Sequence, residues 1–540
     1  MRRVNFLVFL FLATVHYSFG QYSQQDSLRG SLNPMRTCYD VFYYDLQLRV
    51  MPDDQFIIGS NTIHYQVTED FDVLQVDLFR NLAIIQILHA GKPLTYKRKG
   101  NATFVYFDKV QTKGTKAQIE IFYSGKPTVA KQPPWDGGFA WKKDAKGQHW
   151  IGVACEGIGA SLWWPNKDHL SEEPDSMRIY CEVPTGLFCV ANGQLREEKK
   201  LEDGYTSYDW LVSYPINNYN VTLNIAQYVH FQDVYVSPAD STQLALDYYV
   251  LPDHLEQAKK QFQQVKPMLA CYEKLFGKYP FWRDGFALVE TPYLGMEHQG
   301  AIAYGNGYEN GYLGSDLSGT GVGKLFDYII IHEAGHEYWG NSVSTEDHAE
   351  LWIHESWCTY TEILFIECKF GKEAADTYVN GYRKRVGNRA PIVAPLGVNA
   401  SGSGDMYFKG ALMLHALRNV VDNDPLWFQM LYNLAQHFEH QVTNTKEVVT
   451  FVNQQLGQDF TYFFEHYLYY PQLPILEQKV TKDGWMYRWK SPVEDFSLPL
   501  KIVVAGKEQV ITPTTTWQTL KIEKDEAVEV KEKLYYIEVK

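Results

Sequence analysis

The chain has 540 residues, 45% hydrophobic and 21% charged, a balance that excludes a disordered or collagen-like protein and supplies apolar mass for several cores. With 50 Lys+Arg against 64 Asp+Glu the formal charge is −14, so the cationic stripe that neutralises a phosphate backbone is lacking and no nucleic acid is expected as a partner. Aromatic residues reach 15% of the chain, enough to line a wide cleft with rings.

At the N-terminus, Arg2 and Arg3 precede an apolar run from Phe6 to Val15 and the residues Ser18-Phe19-Gly20. This order predicts a cleavable signal peptide over 1–20 and a secreted or periplasmic protein, because the run is too short to cross a bilayer. Its removal leaves 48 basic against 64 acidic residues, a charge of −16. No later segment is long and apolar enough for a stable membrane span. Seven cysteines follow, an odd number without any Cys-x-x-Cys. Mostly buried thiols are expected, with Cys181 and Cys189 one candidate bridge if they face each other on a hairpin.

From about 40 to 235 the side chains alternate, as in Tyr44-Asp45-Leu46-Gln47-Leu48-Arg49-Val50 and Gln118-Ile119-Glu120-Ile121-Phe122, which predicts antiparallel sheet. Beyond Asp253 the spacing turns helical, over His254–Phe276, Leu325–Trp339, Trp352–Phe370, Phe408–Val421 and Thr445–Tyr469. Strands return after Leu476: a hairpin turn at Asp483-Gly484, then Leu500–Val504, Glu508–Thr512 and Tyr535–Val539. The chain therefore reads as multidomain α+β, with an N-terminal antiparallel β domain (21–238), a mainly helical domain (239–473) and a small C-terminal β-sandwich domain (474–540). The glycines of Gly319–Lys324 do not make a phosphate loop, since Ser318 and Leu325 stand at two defining positions; a mobile loop is expected. Asn101, Asn220 and Asn399 head glycosylation sequons.

His332-Glu333-Ala334-Gly335-His336 is the informative motif. Residues four apart share one helix face, so two imidazoles can reach one metal ion while Glu333 stands beside it. A catalytic Zn²⁺ takes three protein ligands and keeps a fourth position open. A third histidine on the same segment is excluded, because Trp339 and Ser342 occupy the positions it would require. Glu355, nineteen residues after His336 and at the start of the next helical segment, is the expected third ligand. One Zn²⁺ per chain held by His332, His336 and Glu355, with Glu333 as general base, predicts metal-assisted amide hydrolysis.

With Gly340-Asn341 after the second histidine, these residues resemble the zinc aminopeptidase family of aminopeptidase N and leukotriene hydrolase, the gluzincins. The similarity runs from about Leu28 to the end, and it implies a thermolysin-like catalytic domain. Leu294-Gly295-Met296-Glu297-His298 is similar to the family's Gly-x-Met-Glu-Asn motif, with Leu294 and His298 departing from it. The resemblance implies that Glu297 binds the substrate's free α-ammonium, with Gly295 and Met296 beside the peptide and Glu156, in Cys155–Ala160, as a second amine ligand. Tyr407-Phe408-Lys409-Gly410 is similar to Tyr-x-Lys-Gly, which implies an oxyanion donor in Tyr407. The resemblance is to a short form lacking the helical C-terminal domain, hence an expected cleft that is open or closed by a partner chain. The function so implied is removal of residues from the N-termini of peptides with a free amine. A dual aminopeptidase/epoxide hydrolase and a non-catalytic peptide binder are the alternatives; nothing in the sequence favours the first, and the complete residue set argues against the second.

Overall fold

A computed structural model of the chain describes residues 22–523 and 526–540. The expected signal segment, residues 1–20, lies outside them. Among the described residues no helix is long and apolar enough to cross a membrane.

The N-terminal region is built on an eight-stranded sheet, joined by a four-stranded and a three-stranded sheet. Strand Tyr39–Met51 buries alternate residues, Leu46, Leu48 and Val50 among them, as period-two patterning requires. It pairs antiparallel with Phe56–Val67 but parallel with Ser176–Pro184, Leu46 standing opposite Ile179. The sheet is therefore mixed rather than purely antiparallel, because the chain leaves to build other strands and returns alongside in the same direction. Cys181 and Cys189 do not share a hairpin: their strands belong to different sheets, and both thiols are buried and free. The bridge joins Cys271 to Cys368 instead, tying two helices. Of the sequons, Asn220 is fully buried, donating to Asn341 Oδ1 at 2.6 Å, and cannot carry a glycan.

A five-stranded sheet links this region to the helices, in the order Val229–Val236, Gln243–Val250, Phe286–Glu290, Ile302–Tyr304 and the edge strand Gly295–Met296. Its alternation serves two cores. Leu244, Leu246, Tyr248, Leu288, Ile302 and Tyr304 face the helical core, whereas Tyr249, Ala287, Val289 and Ala303 pack into the N-terminal one.

The helices of the site are Tyr328–His336, Trp352–Phe370 and Asp405–Val421. The first is shorter than its apolar spacing suggested, since Asp327 caps it by accepting from the backbone of Ile329 and Ile330. Thr445–Tyr469 is two helices, broken at Gly457, whose φ of 68° ends the first in a left-handed cap. His254–Phe276 is likewise interrupted by a tighter turn at Phe262–Gln264.

The C-terminal strands form two small sheets whose inner residues join the helical core. The hairpin turns between Thr481 and Gly484, which pair across it. The predicted strand Tyr535–Val539 reduces to Glu538–Val539, because Tyr535, Tyr536 and Ile537 are spent on packing against the helices. At the Gly319–Lys324 loop, Asp316 accepts from the backbone of Ser318 and Gly321.

Candidate metal and peptide site

The two imidazoles lie one turn apart on the buried helix Tyr328–His336, and Gly340 lets the chain fold back tightly after it. At φ 130° Gly340 adopts a backbone few other residues accept, and a Cβ there would press on His336 Nδ1 at 3.2 Å and His354 at 3.4 Å. The turn delivers Glu355 in the first turn of Trp352–Phe370. The atoms that converge are His332 Nε2, His336 Nε2 and Glu355 Oε2, separated by 3.3, 3.8 and 3.4 Å. Tetrahedral ligands about 2.0–2.1 Å from Zn²⁺ stand about 3.3 Å apart, so the triangle fits that ion.

The surroundings support the same fit. His332 Nδ1 donates to Glu362 Oε1 at 2.7 Å and His336 Nδ1 to the Trp339 carbonyl at 2.8 Å, which turns both Nε2 lone pairs inward. Glu355 Oε1 accepts from the Tyr407 hydroxyl at 2.9 Å, while its buried Oε2 has no hydrogen-bond partner among the described residues. Burial opposes its charge, yet His336 and His332 hold Glu355 below the ordinary carboxylate range. Cys358 also lies near both histidines. Its thiol is engaged with the His332 carbonyl at 2.9 Å, which favours Glu355 as the third donor.

Glu362 has no counterpart among the residues singled out by motif. It lies seven residues beyond Glu355, two turns on and on the same helix face, and its other oxygen receives the hydroxyls of Tyr378 at 3.1 Å and Tyr382 at 2.5 Å. The spacing was the available signal; the tyrosines come from elsewhere in the chain.

Glu333 packs against the edge strand, where a Cβ on Gly295 would sit 2.7 Å from Glu333 Oε1. Burial raises its carboxyl to about 7, against the pull of His332. Glu297 is buried and clusters with Glu333 and His336. Its Oε1 accepts from Tyr219 at 3.1 Å, and its carbonyl receives the Asn341 side chain at 2.8 Å. Met296, beside it, is buried at the domain junction. Glu156 lies half-buried in the turn after strand His149–Ala154, where Cys155 Sγ meets the Tyr219 carbonyl at 3.2 Å. Burial and Glu297 push Glu156 well above its ordinary range; burial, with Glu355 nearby, also raises Glu297 despite His336. Two acids raised in this way mark a place where a cation is welcome.

Helix Asp405–Val421 brings Tyr407 to the site because Gly410 lies against Ser356, where a Cβ would collide with its hydroxyl. Lys409 Nζ fixes the same helix by donating to the carbonyls of Tyr470 and Pro471 at 2.9 and 3.0 Å. In Tyr-x-Lys-Gly, then, Lys and Gly dock the helix and Tyr407 faces the site. Burial and Glu355 keep its hydroxyl well above the usual range, hence protonated. His298 is fully buried, without a partner on either ring nitrogen among the described residues.

Residues 260–467 match the model of the peptidase family M1 domain. Aminopeptidase N of Lactobacillus helveticus is 23% identical over 469 residues, 82% of this chain and 52% of that protein. Leucyl aminopeptidase of Saccharolobus solfataricus is 22% identical over 410 residues, 72% of this chain and 50% of its own. The chain spans about half or less of the length of these and similar curated relatives. An M1 zinc metallopeptidase from Deinococcus radiodurans, solved with a Tyr-Ser-Ala substrate, superposes with a TM-score of 0.67 at 20% identity, covering 81% of this chain and 95% of that one. The histidines, Glu333, Glu355 and Tyr407 all fall inside the segment that matches the peptidase family M1 domain, and the chain shares the fold of the M1 metallopeptidase from Deinococcus radiodurans.

Proposed function

We propose that this protein is a zinc-dependent aminopeptidase that hydrolyses the N-terminal peptide bond of peptides, with one Zn²⁺ per chain on His332, His336 and Glu355. The observation that carries the reading is the inward-facing triangle of two Nε2 atoms and Glu355 Oε2 beside the acids Glu156 and Glu297. When bound, zinc polarises a carbonyl and brings the pKa of a coordinated water from 15.7 to about 7. Glu297 and Glu156 pair with the substrate's ammonium, which presents its first carbonyl to the triangle and no later one. Glu333, with a carboxyl near neutrality, accepts a proton from the attacking water and returns it to the departing amine. Tyr407, protonated and 2.9 Å from Glu355 Oε1, turns its hydroxyl to the developing oxyanion. The n-region and apolar run at residues 2–15, together with the Cys271–Cys368 bridge, support a secreted or periplasmic location.

The test is a panel of fluorogenic aminoacyl amides, free and N-acetylated, before and after chelation. Free amines should be cleaved and acetylated ones spared, with activity lost on chelation and restored by Zn²⁺. Equal cleavage of acetylated substrates would overturn the exopeptidase reading, and activity surviving complete metal removal would overturn the mechanism.

A further inference from the structure

Glu156 stands in a turn whose own bonds do not fix it to the rest of the molecule. The Ile158 N–H donates back to the Glu156 carbonyl at 2.7 Å around Gly157, whose φ is 71°. A three-residue turn with positive φ is rare and strained. Space does not demand a glycine there, since a Cβ on Gly157 would meet nothing within 4 Å; the backbone does. A second bond, from the Gly159 N–H to the Cys155 carbonyl at 2.7 Å, also stays inside the turn.

Arg29, in the last turn of helix Gln24–Gly30, supplies the outside support. Its Nη1 donates to the Gly157 carbonyl at 2.8 Å, from 128 residues away. The guanidinium lies against Gly159, where φ is 101° and a Cβ would sit 2.4 Å from Arg29 Nη2 and 2.3 Å from Asp168 Oδ2. Arg29 Nε is 3.7 Å from that same carboxylate oxygen, which accepts from the Ser161 N–H at 3.2 Å and its hydroxyl at 2.5 Å. One planar fork thus meets both the carbonyl just after Glu156 and the acid that anchors the far end of the turn.

The helix that carries Arg29 is itself seated on both sides of the molecule. Gln75 Nε2 donates to the Leu28 carbonyl at 3.0 Å, and Arg36 donates to the carbonyl of Arg29. Gly30 abuts the loop that leads into the Tyr407 helix, for a Cβ on it would sit 1.9 Å from the Asn399 backbone nitrogen. On the other side of the Glu156 turn, Cys155 Sγ meets the Tyr219 carbonyl at 3.2 Å, and the Tyr219 hydroxyl reaches Glu297 Oε1 at 3.1 Å. The turn is therefore held between Arg29 and the residue that touches Glu297.

We propose that Arg29 is a positioning residue for recognition of the substrate's amine: its bond to the Gly157 carbonyl holds the turn in the one form that offers Glu156 to the ammonium. Arg29 touches no substrate and acts through Glu156. This rests on the aminopeptidase reading.

The experiment measures kcat and KM of the full-length zinc-loaded protein on alanine p-nitroanilide, for the wild type, Arg29→Ala, Arg29→Lys, Glu156→Ala and the double variant Arg29→Ala with Glu156→Ala, with circular dichroism to verify the fold. Arg29→Ala should raise KM about tenfold, the low end for one hydrogen bond from a charged group, and leave kcat within about twofold. Arg29→Lys, which keeps the charge without the fork, should raise KM by about threefold, and it carries the same cycle if the alanine variant does not fold. On the Glu156→Ala background the Arg29 substitution should change KM by less than about twofold, because nothing is left for Arg29 to position. A helix that only stabilised the fold would give the same factor on both backgrounds. Equal factors, or a KM for the folded Arg29 variants within about twofold of wild type, overturn the proposal and leave the aminopeptidase reading standing. Failure of the wild type to cleave the substrate overturns both.

Discussion

Glu362→Gln tests how much of the metal site depends on a residue that cannot itself reach the metal. The wild-type carboxylate is fully buried, with one oxygen taking the His332 Nδ1–H at 2.7 Å and the other the Tyr378 and Tyr382 hydroxyls. A carboxamide has a single acceptor oxygen and brings two donors, so either His332 or the tyrosines lose a partner. A hydrogen bond to a charged group is worth about 1.5–3 kcal/mol, and each 1.4 kcal/mol is a factor of about ten. The expected weakening of zinc binding is therefore roughly 10- to 100-fold, in line with losses of such partners at other zinc sites. The assay is competition for Zn²⁺ between the purified protein and a chromophoric chelator of known affinity, with circular dichroism to verify the fold. Tyr378→Phe, which leaves Tyr382 on the same oxygen, should weaken zinc by less than about fivefold on the same scale. A Kd for folded Glu362→Gln within about twofold of wild type would refute the reasoning. Helix packing and the Tyr328 stack would then suffice to aim His332.

Tyr407→Phe should lower kcat by about 10²- to 10³-fold while metal analysis still finds zinc bound, because the hydroxyl lies outside the donor triangle; a fall of less than about threefold would remove Tyr407 from the chemistry. Burial raises Glu173 to about 8 even with the Ser344 hydroxyl donating to it at 2.5 Å, so the folded protein keeps a proton that the unfolded chain releases above about pH 4.3. Stability tied to that proton is present below the unfolded pKa and is lost as the pH rises through about 8; the Tm advantage of Glu173→Gln over wild type should accordingly grow from pH 5 to pH 8.5, and a constant difference would contradict it. Replacing Cys271 and Cys368 by Ser opens a loop closed across 97 residues, for which the chain-entropy account gives a loss of about 4–5 kcal/mol; unchanged chemical-denaturation midpoints would show that the bridge adds nothing.

What could be read in advance follows from range along the chain. His332, Glu333 and His336 declare themselves because a helix turns sequence spacing into a shared face, and Trp352–Phe370 shows its apolar pattern over its whole length. Glu355 needed an assumption about the intervening turn, and Gly340 is the residue that makes that turn possible. Glu297, Glu156 and Tyr407 had no local signature apart from a family resemblance, since each reaches the site from a different element. The partners that orient them were not legible: Tyr219 holds Glu297 from 78 residues away, and Tyr378 and Tyr382 reach Glu362 across a helix boundary. Pairing was equally hidden. Period two announces strands but not their neighbours, so the parallel match of Tyr39–Met51 with Ser176–Pro184 and the Cys271–Cys368 bridge both required the assembled fold.

The five-stranded sheet has no face of its own to spare: Tyr248, Leu288 and Ile302 belong to one core and Tyr249, Val289 and Ala303 to the other. It acts as a party wall between two buildings. A truncated chain beginning near 239 would strip the plaster from one side and leave an apolar surface bare to water, inviting aggregation rather than yielding a minimal enzyme. Nor can the N-terminal domain serve as a lid, because swinging it away would tear open a packed interior. Glu156 follows strand His149–Ala154 of the N-terminal four-stranded sheet, and Glu297 follows the edge strand of the five-stranded one. Their chain neighbours Cys155 and Met296 both pack in the N-terminal core, so the packing of that core holds the two backbones in place.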